Sequence, residues 1–126
     1  MKTRIQNIHT TAGETIRHFL GDTESILFFD IETTGLSPKN ASIYLIGAAF
    51  LQDKKWTLQQ WFAENTAEEE AILDAFLKFA APYRKLVHFN GTTFDVPFVQ
   101  AKCKKYGLDS PFPQMEQTDI YRQISP

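Results

Sequence analysis

At 126 residues the chain is one domain's worth of polypeptide, long enough to bury an ordinary core and short for two domains. Its 43% hydrophobic content and 11 Phe support a packed globule, while a formal charge of −2 and a pI near 5.9 exclude a broadly basic nucleic-acid-binding surface. The single Cys103 cannot form an internal disulfide, and with no signal-peptide pattern a reducing cytoplasmic setting is expected; the longest apolar run, 43–51, is broken by Tyr44 and Gly47 and is too short to span a membrane.

Residues 1–22 read as an N-terminal arm or short helix, polar at first and then weakly amphipathic through Ile16, Phe19 and Leu20. The main domain is expected over 23–126. Ile26 to Phe29 form an apolar run without alternation, the pattern of a central strand buried on both faces. Asp30 and Glu32 follow on that strand. Side-chain alternation turns both carboxylates to one face, roughly 6.5 to 7 Å apart along the strand. At an effective dielectric near 20 their repulsion is about 2.5 kcal/mol, and partial burial adds desolvation of the same sign. A hard divalent cation such as Mg²⁺ or Mn²⁺ would reverse that sign and supply positive charge where a phosphate sits. The alternative is that both are strand-end acids facing solvent.

Gly35 and Ser37-Pro38-Lys39-Asn40 read as a loop, and 42–51 as a second strand rich in Ile and aromatics. Gln52-Asp53-Lys54-Lys55 is short enough to imply a hairpin into a third strand at about 56–62. Thr66-Ala67-Glu68-Glu69 reads as a capping box, with Thr66 as N-cap and Glu69 reaching back. Ile72, Leu73, Phe76, Leu77 and Ala80 then recur at helical spacing, so a helix is expected to about Ala80, before Pro82. Its run of three glutamates reads as first-turn acid favoured by the macrodipole. A fourth strand is expected at 84–89, a second helix at about 94–106 ending at Gly107, and a fifth strand at 117–123. This order predicts an α/β fold with a mixed five-stranded sheet, antiparallel hairpins on one side and helical crossovers between parallel strands on the other.

Asn90-Gly91-Thr92-Thr93-Phe94-Asp95 follows the fourth strand directly. Thr92 or Thr93 can cap the second helix, and Asp95 falls in its first turn. If the fourth strand is parallel to the first, this loop is delivered to the same sheet end as Asp30 and Glu32.

Asp30-Ile31-Glu32-Thr33-Thr34-Gly35 followed by Asn90-x-x-x-Phe94-Asp95 resembles the first two motifs of the DEDD, or DnaQ-like, 3′-5′ exonucleases of the ribonuclease H-like fold. The stretches 42–47, 60–63 and 87–91 look more narrowly like the YprB-type branch. The resemblance covers most of the chain from about Ser25 onward. It implies that Asp30, Glu32 and Asp95 are three of four acids holding two Mg²⁺ or Mn²⁺ ions, which cut a terminal phosphodiester with an activated water. It also implies that Thr33, Thr34, Leu36, Asn90 and Phe94 line the substrate cleft, Thr33 mainly through its backbone and Leu36 as an apolar wedge. The implied partner is a single-stranded DNA or RNA 3′ end.

The final motif of that family, H-x-x-x-x-D or Y-x-x-x-D, has no match after Asp95, and Tyr121 lacks an Asp four residues on. Asp119 resembles a fifth-strand acid that is not a metal ligand. His18 and Asp22 have a superficially similar spacing but precede the first core strand, and His88 reads as packed or hydrogen-bonded within the fourth strand. The expectation is therefore a domain lacking its C-terminal helix, poorly active alone, with apolar surface left open for self-association. The competing classes are a noncatalytic nucleic-acid-end binder and a structural domain.

Overall fold

A computed structural model describes residues 1–8, 23–89 and 91–120. In chain order the elements are β1 (Lys2–Ile8), β2 (Ile26–Thr33), β3 (Ile43–Gln52), β4 (Lys55–Phe62), α1 (Glu69–Ala80), β5 (Lys85–His88), α2 (Asp95–Tyr106) and β6 (Glu116–Asp119). The strands make one sheet in the order β1-β4-β3-β2-β5-β6. Neighbours from β1 through β2 are antiparallel, whereas β5 runs parallel to both β2 and β6. The mixed sheet is the predicted one with a strand added.

That strand is β1, which lies within the stretch read as an arm or short helix. All seven of its residues are exposed, and it pairs with β4 from Lys2↔Phe62 to Ile8↔Trp56. Backbone pairing rather than burial of an apolar face holds it, so hydrophobic periodicity carried no trace of it. The helical reading through Ile16, Phe19 and Leu20 lies outside the described residues, as does the His18 and Asp22 spacing.

β3 and β4 meet in a two-residue hairpin, because Gln52 pairs with Lys55 and both intervening residues, Asp53 and Lys54, have positive φ of 50° and 65°. Positive φ at both central positions is the turn whose twist suits a hairpin. α1 buries Ile72, Leu73, Phe76, Leu77 and Ala80, the helical stripe legible in the sequence. α2 ends where Gly107 takes φ +66° and Leu108 N–H donates to the Cys103 carbonyl at 2.9 Å.

Two cap assignments are corrected. Asn65, not Thr66, precedes the opening 3-10 turn, and Glu68 rather than Glu69 reaches back, accepting the Glu64 N–H at 2.7 Å. Glu69 is drawn inward instead, because buried donors at Ile43 and Lys102 and the half-buried Tyr106 hydroxyl converge on its carboxylate. At α2 the N-cap is Phe94, with no side-chain cap bond; the first turn is closed by Val96 N–H to the Gly91 carbonyl at 2.8 Å.

Leu27, Phe29 and Ile31 of β2 join Ile72 and Phe76 of α1 and Phe98 and Val99 of α2 in the hydrophobic core. Both helices thus cover one sheet face. Phe28, Asp30 and Glu32 alternate to the other, where a cavity of about 530 Å³ opens over β2, β3 and β5. Among the described residues, no helix is long and apolar enough to cross a membrane.

Candidate active site

The apolar run of β2 carries its last turn of chain past the end of β5, whose pairing with β2 runs only from Ile26↔Lys85 to Phe28↔Val87. Beyond that point one side of β2 has no strand beside it. Asp95, the first residue of α2, fills the space: it is buried, and its Oδ2 accepts the Ile31 N–H at 3.2 Å. The parallel β2–β5 pairing therefore delivers the second motif to the sheet end that carries the first, as the sequence predicts.

The Asp30 carboxyl lies close enough to Asp95 for a hydrogen bond between the two to act on Asp95. Burial, followed by that bond and the nearby Asp30 charge, pushes the Asp95 carboxyl up to about 7, while the Ile31 N–H pulls the other way. A carboxyl raised by burial and a neighbouring acid is relieved by a proton or by a cation. Hard oxygen donors whose mutual repulsion a divalent ion would relieve fit Mg²⁺ or Mn²⁺.

Glu32 stands on the same face as Asp30 and is likewise exposed and in contact with the cavity. It is not drawn in with the aspartates. Among the described residues, no three His, Cys, Asp or Glu side chains are gathered closely enough to hold a metal ion. The structure thus brings together Asp30 and Asp95 and leaves Glu32 one strand period away.

The other residues named from the sequence are engaged as follows. Thr33 Oγ1 donates to the Gly35 carbonyl at 2.7 Å, so its hydroxyl is engaged within the loop. Thr34 pairs twice with Ser42, through N–H to the Ser42 carbonyl and through Oγ1 to the Ser42 N–H, both at 2.9 Å. Leu36 is 85% exposed at the tip. Phe94 is half-buried against Phe98, with ring centroids 5.5 Å apart. Asn90 and Tyr121 lie outside the described residues.

His88 is buried, as read from the sequence: Nδ1 accepts the Gly91 N–H at 3.1 Å, and Nε2 lies 3.4 Å from Gln117 Oε1. Asp119 Oδ2 accepts the Thr92 N–H at 3.3 Å and approaches His88 Nδ1 at 3.9 Å. Sequence reasoning missed this support of the loop ahead of Asp95, as it missed a buried cluster of Glu69 and Lys102. Neither has a local motif, since each joins residues far apart in the chain.

A family model described as the RNase_H superfamily matches residues 27–126. In an alignment 118 positions long that covers 76% of this chain, it is 29% identical to a PolC-type DNA polymerase III of Caldanaerobacter subterraneus subsp. tengcongensis, and over 79 residues, covering 62% of the chain, it is 33% identical to the uncharacterized protein YprB of Bacillus subtilis. The chain spans 8% and 19% of these two relatives' lengths. Among solved structures, E. coli exonuclease I in complex with a dT13 oligonucleotide shares the fold with a TM-score of 0.54 at 13% identity, over 75% of this chain and 27% of that one.

Proposed function

This chain belongs to the RNase H superfamily, among the DnaQ-like exonucleases, and from that membership and its paired aspartates we propose that it is a metal-dependent domain hydrolysing phosphodiester bonds at nucleic-acid 3′ ends. The observation that carries the reading is the Asp30–Asp95 pair, with Asp95 raised to about 7 at the open end of β2. A buried carboxylate is seldom set beside a second acid for structure alone, because the repulsion is uncompensated without a proton or a cation. A perturbed acid next to a residue that lines a cavity is a candidate for a working site.

Asp30 and Asp95, and Glu32 further along the same face of β2, are the residues that would hold Mg²⁺ or Mn²⁺. Such ions, when bound, stabilise charge on a phosphodiester and lower the pKa of water. The Ile31 N–H holds Asp95 in place and lowers its proton affinity, favouring the carboxylate form a cation needs. Leu36, 85% exposed in the loop that follows β2, is suited to pack against a terminal base. Thr33 keeps its hydroxyl on Gly35 and so meets a substrate with its backbone. The oligonucleotide bound by exonuclease I supports a single-stranded end as substrate.

A second reading, noncatalytic binding of a nucleic-acid end, is favoured by the separation of Glu32 from the aspartates. One experiment distinguishes the two. A single-stranded oligonucleotide labelled at its 5′ end is incubated with the protein and Mn²⁺, with metal omitted, and with Asp30→Asn. A ladder of products shortened from the 3′ end, slowed at least about 100-fold by Asp30→Asn, is expected. Cleavage indifferent to Mn²⁺ or to Asp30 overturns the assignment, and salt-sensitive binding without cleavage establishes the second reading.

A further inference from the structure

Glu69 and Lys102 are both almost wholly buried, at 1% and 2% exposure, and each is spent on the segment that closes the loop between β2 and β3. Lys102 Nζ donates to the Ala41 carbonyl at 2.6 Å and meets Glu69 Oε1 at 3.3 Å. Glu69 Oε2 accepts the Ile43 N–H at 2.6 Å, and its Oε1 accepts the Tyr106 hydroxyl. Two ions in the protein interior are costly to desolvate, and an apolar pair of similar volume is often as stable. Stability alone is therefore a weak reason for this pair to be here.

Its position supplies a stronger one. Residues 41–43 are the return limb of the loop whose outward limb is Thr33 to Leu36. The limbs are zipped by the two Thr34–Ser42 bonds, and a Cβ placed on Gly35 would stand 3.3 Å from Ala41 Cβ. Lys102 lies on α2 two turns beyond Asp95, and Glu69 opens α1. One buried cluster thus joins the loop to the helix that carries Asp95. Asp95 has its own tether at Ile31 N–H, so losing the cluster would free the loop while leaving Asp95 in place.

We propose that Glu69 and Lys102 are positioning residues that set the Thr33–Leu36 loop for binding a nucleic-acid end. The proposal rests on the function argued above for the site, and its test separates the two. Two double variants grade the loss. Glu69→Gln with Lys102→Met removes both charges, frees the Ala41 carbonyl and keeps an amide oxygen for Ile43 N–H. Glu69→Leu with Lys102→Met frees both backbone groups.

Amide hydrogen exchange is read at Ala41, Ser42 and Ile43 against core strand amides such as Phe29 and Ala48, and KM and kcat are read on the labelled oligonucleotide with Mn²⁺. Exchange at 41–43 should rise from wild type to the Gln/Met variant to the Leu/Met variant while the core amides stay protected. KM should rise about 3-fold and then at least about 10-fold, with kcat within about 3-fold of wild type. A purely structural pair would loosen loop and core together, and that result overturns the proposal, as does unchanged loop exchange in the Gln/Met variant, the milder change if Leu/Met does not fold. Loosened loop amides with unchanged KM overturn the link to end binding. Wild-type protein that never shortens the oligonucleotide refutes the nuclease reading instead, and the loop's positioning is then judged on exchange and on oligonucleotide affinity by fluorescence anisotropy.

Discussion

Asp95 is held in an environment unlike that of a free aspartate. Its carboxyl is raised from 3.8 to about 7, first by burial and then by Asp30, so in the folded protein the protonated form is favoured. A raised folded-state pKa contributes stability that is complete below the unfolded value of about 4 and is lost as pH rises through about 7. Without metal, then, the wild type should lose stability across that window, by at most about 1.4 kcal/mol per pH unit from this group. Asp95→Asn keeps an oxygen for Ile31 N–H and removes the titration. Urea unfolding in chelator should show the variant gaining on the wild type from about pH 4 to about pH 7, and Mn²⁺ should narrow the gap by stabilising only the wild type. Parallel pH profiles for the two proteins would mean that Asp95 is not held against Asp30 as described.

The junction from β5 to α2 determines where that carboxyl is placed. Gly91 is packed against His88 so closely that a Cβ there would stand 2.5 Å from the imidazole Cγ and 2.6 Å from Nδ1. The ring cannot swing aside freely, because it is buried and takes the Gly91 N–H. Gly91→Ala should therefore shift the loop ahead of Asp95, destabilising the protein by about 1–3 kcal/mol and lowering cleavage more than oligonucleotide affinity. Adding His88→Gly, which removes the ring and also the His88 Cβ that would stand at 2.9 Å, should relieve the clash, so that the double variant is no less stable than Gly91→Ala alone. Simple additivity of the two losses in thermal and urea unfolding would rule out this contact as the cause. The dipeptide Asn90-Gly91 reads as a turn in the sequence; the need for a missing Cβ comes from a ring three residues back.

At the level of the whole molecule, one aromatic cluster joins the helices to the sheet that presents the site. Phe76 of α1 is fully buried, stacked on Phe29 of β2 at 5.6 Å between ring centroids and set edge-on to Trp61 of β4 at 5.7 Å. Phe112, ahead of β6, completes the group at 5.3 Å from Phe29. Because Phe29 directly precedes Asp30, the packing that stabilises the fold also sets the strand bearing the first acid. Phe76→Ala should cost about 3–5 kcal/mol in urea unfolding. A loss below about 1 kcal/mol would show that α1 is not seated on β2 and β4 as found.

The sequence by itself determined the elements that bury an apolar face and the acids that carry local motifs. β2 through α2 were legible because strand and helix periods write burial into neighbouring residues, and Asp30, Glu32 and Asp95 because a strand alternation and a first helical turn are short-range geometry. The parallel pairing that brings Asp95 to Asp30 followed from the element order alone. Only the tertiary structure decided the rest. β1 is held by backbone bonds that leave no apolar pattern, so a strand was hidden in a polar stretch. Glu69 reads as a capping acid because its local context is a helix start, yet donors 26, 33 and 37 residues away draw it into the core. Whether a carboxylate caps a helix, binds a buried lysine or shares a proton with another acid depends on which groups the fold sets against it, and that is not encoded in its neighbours along the chain.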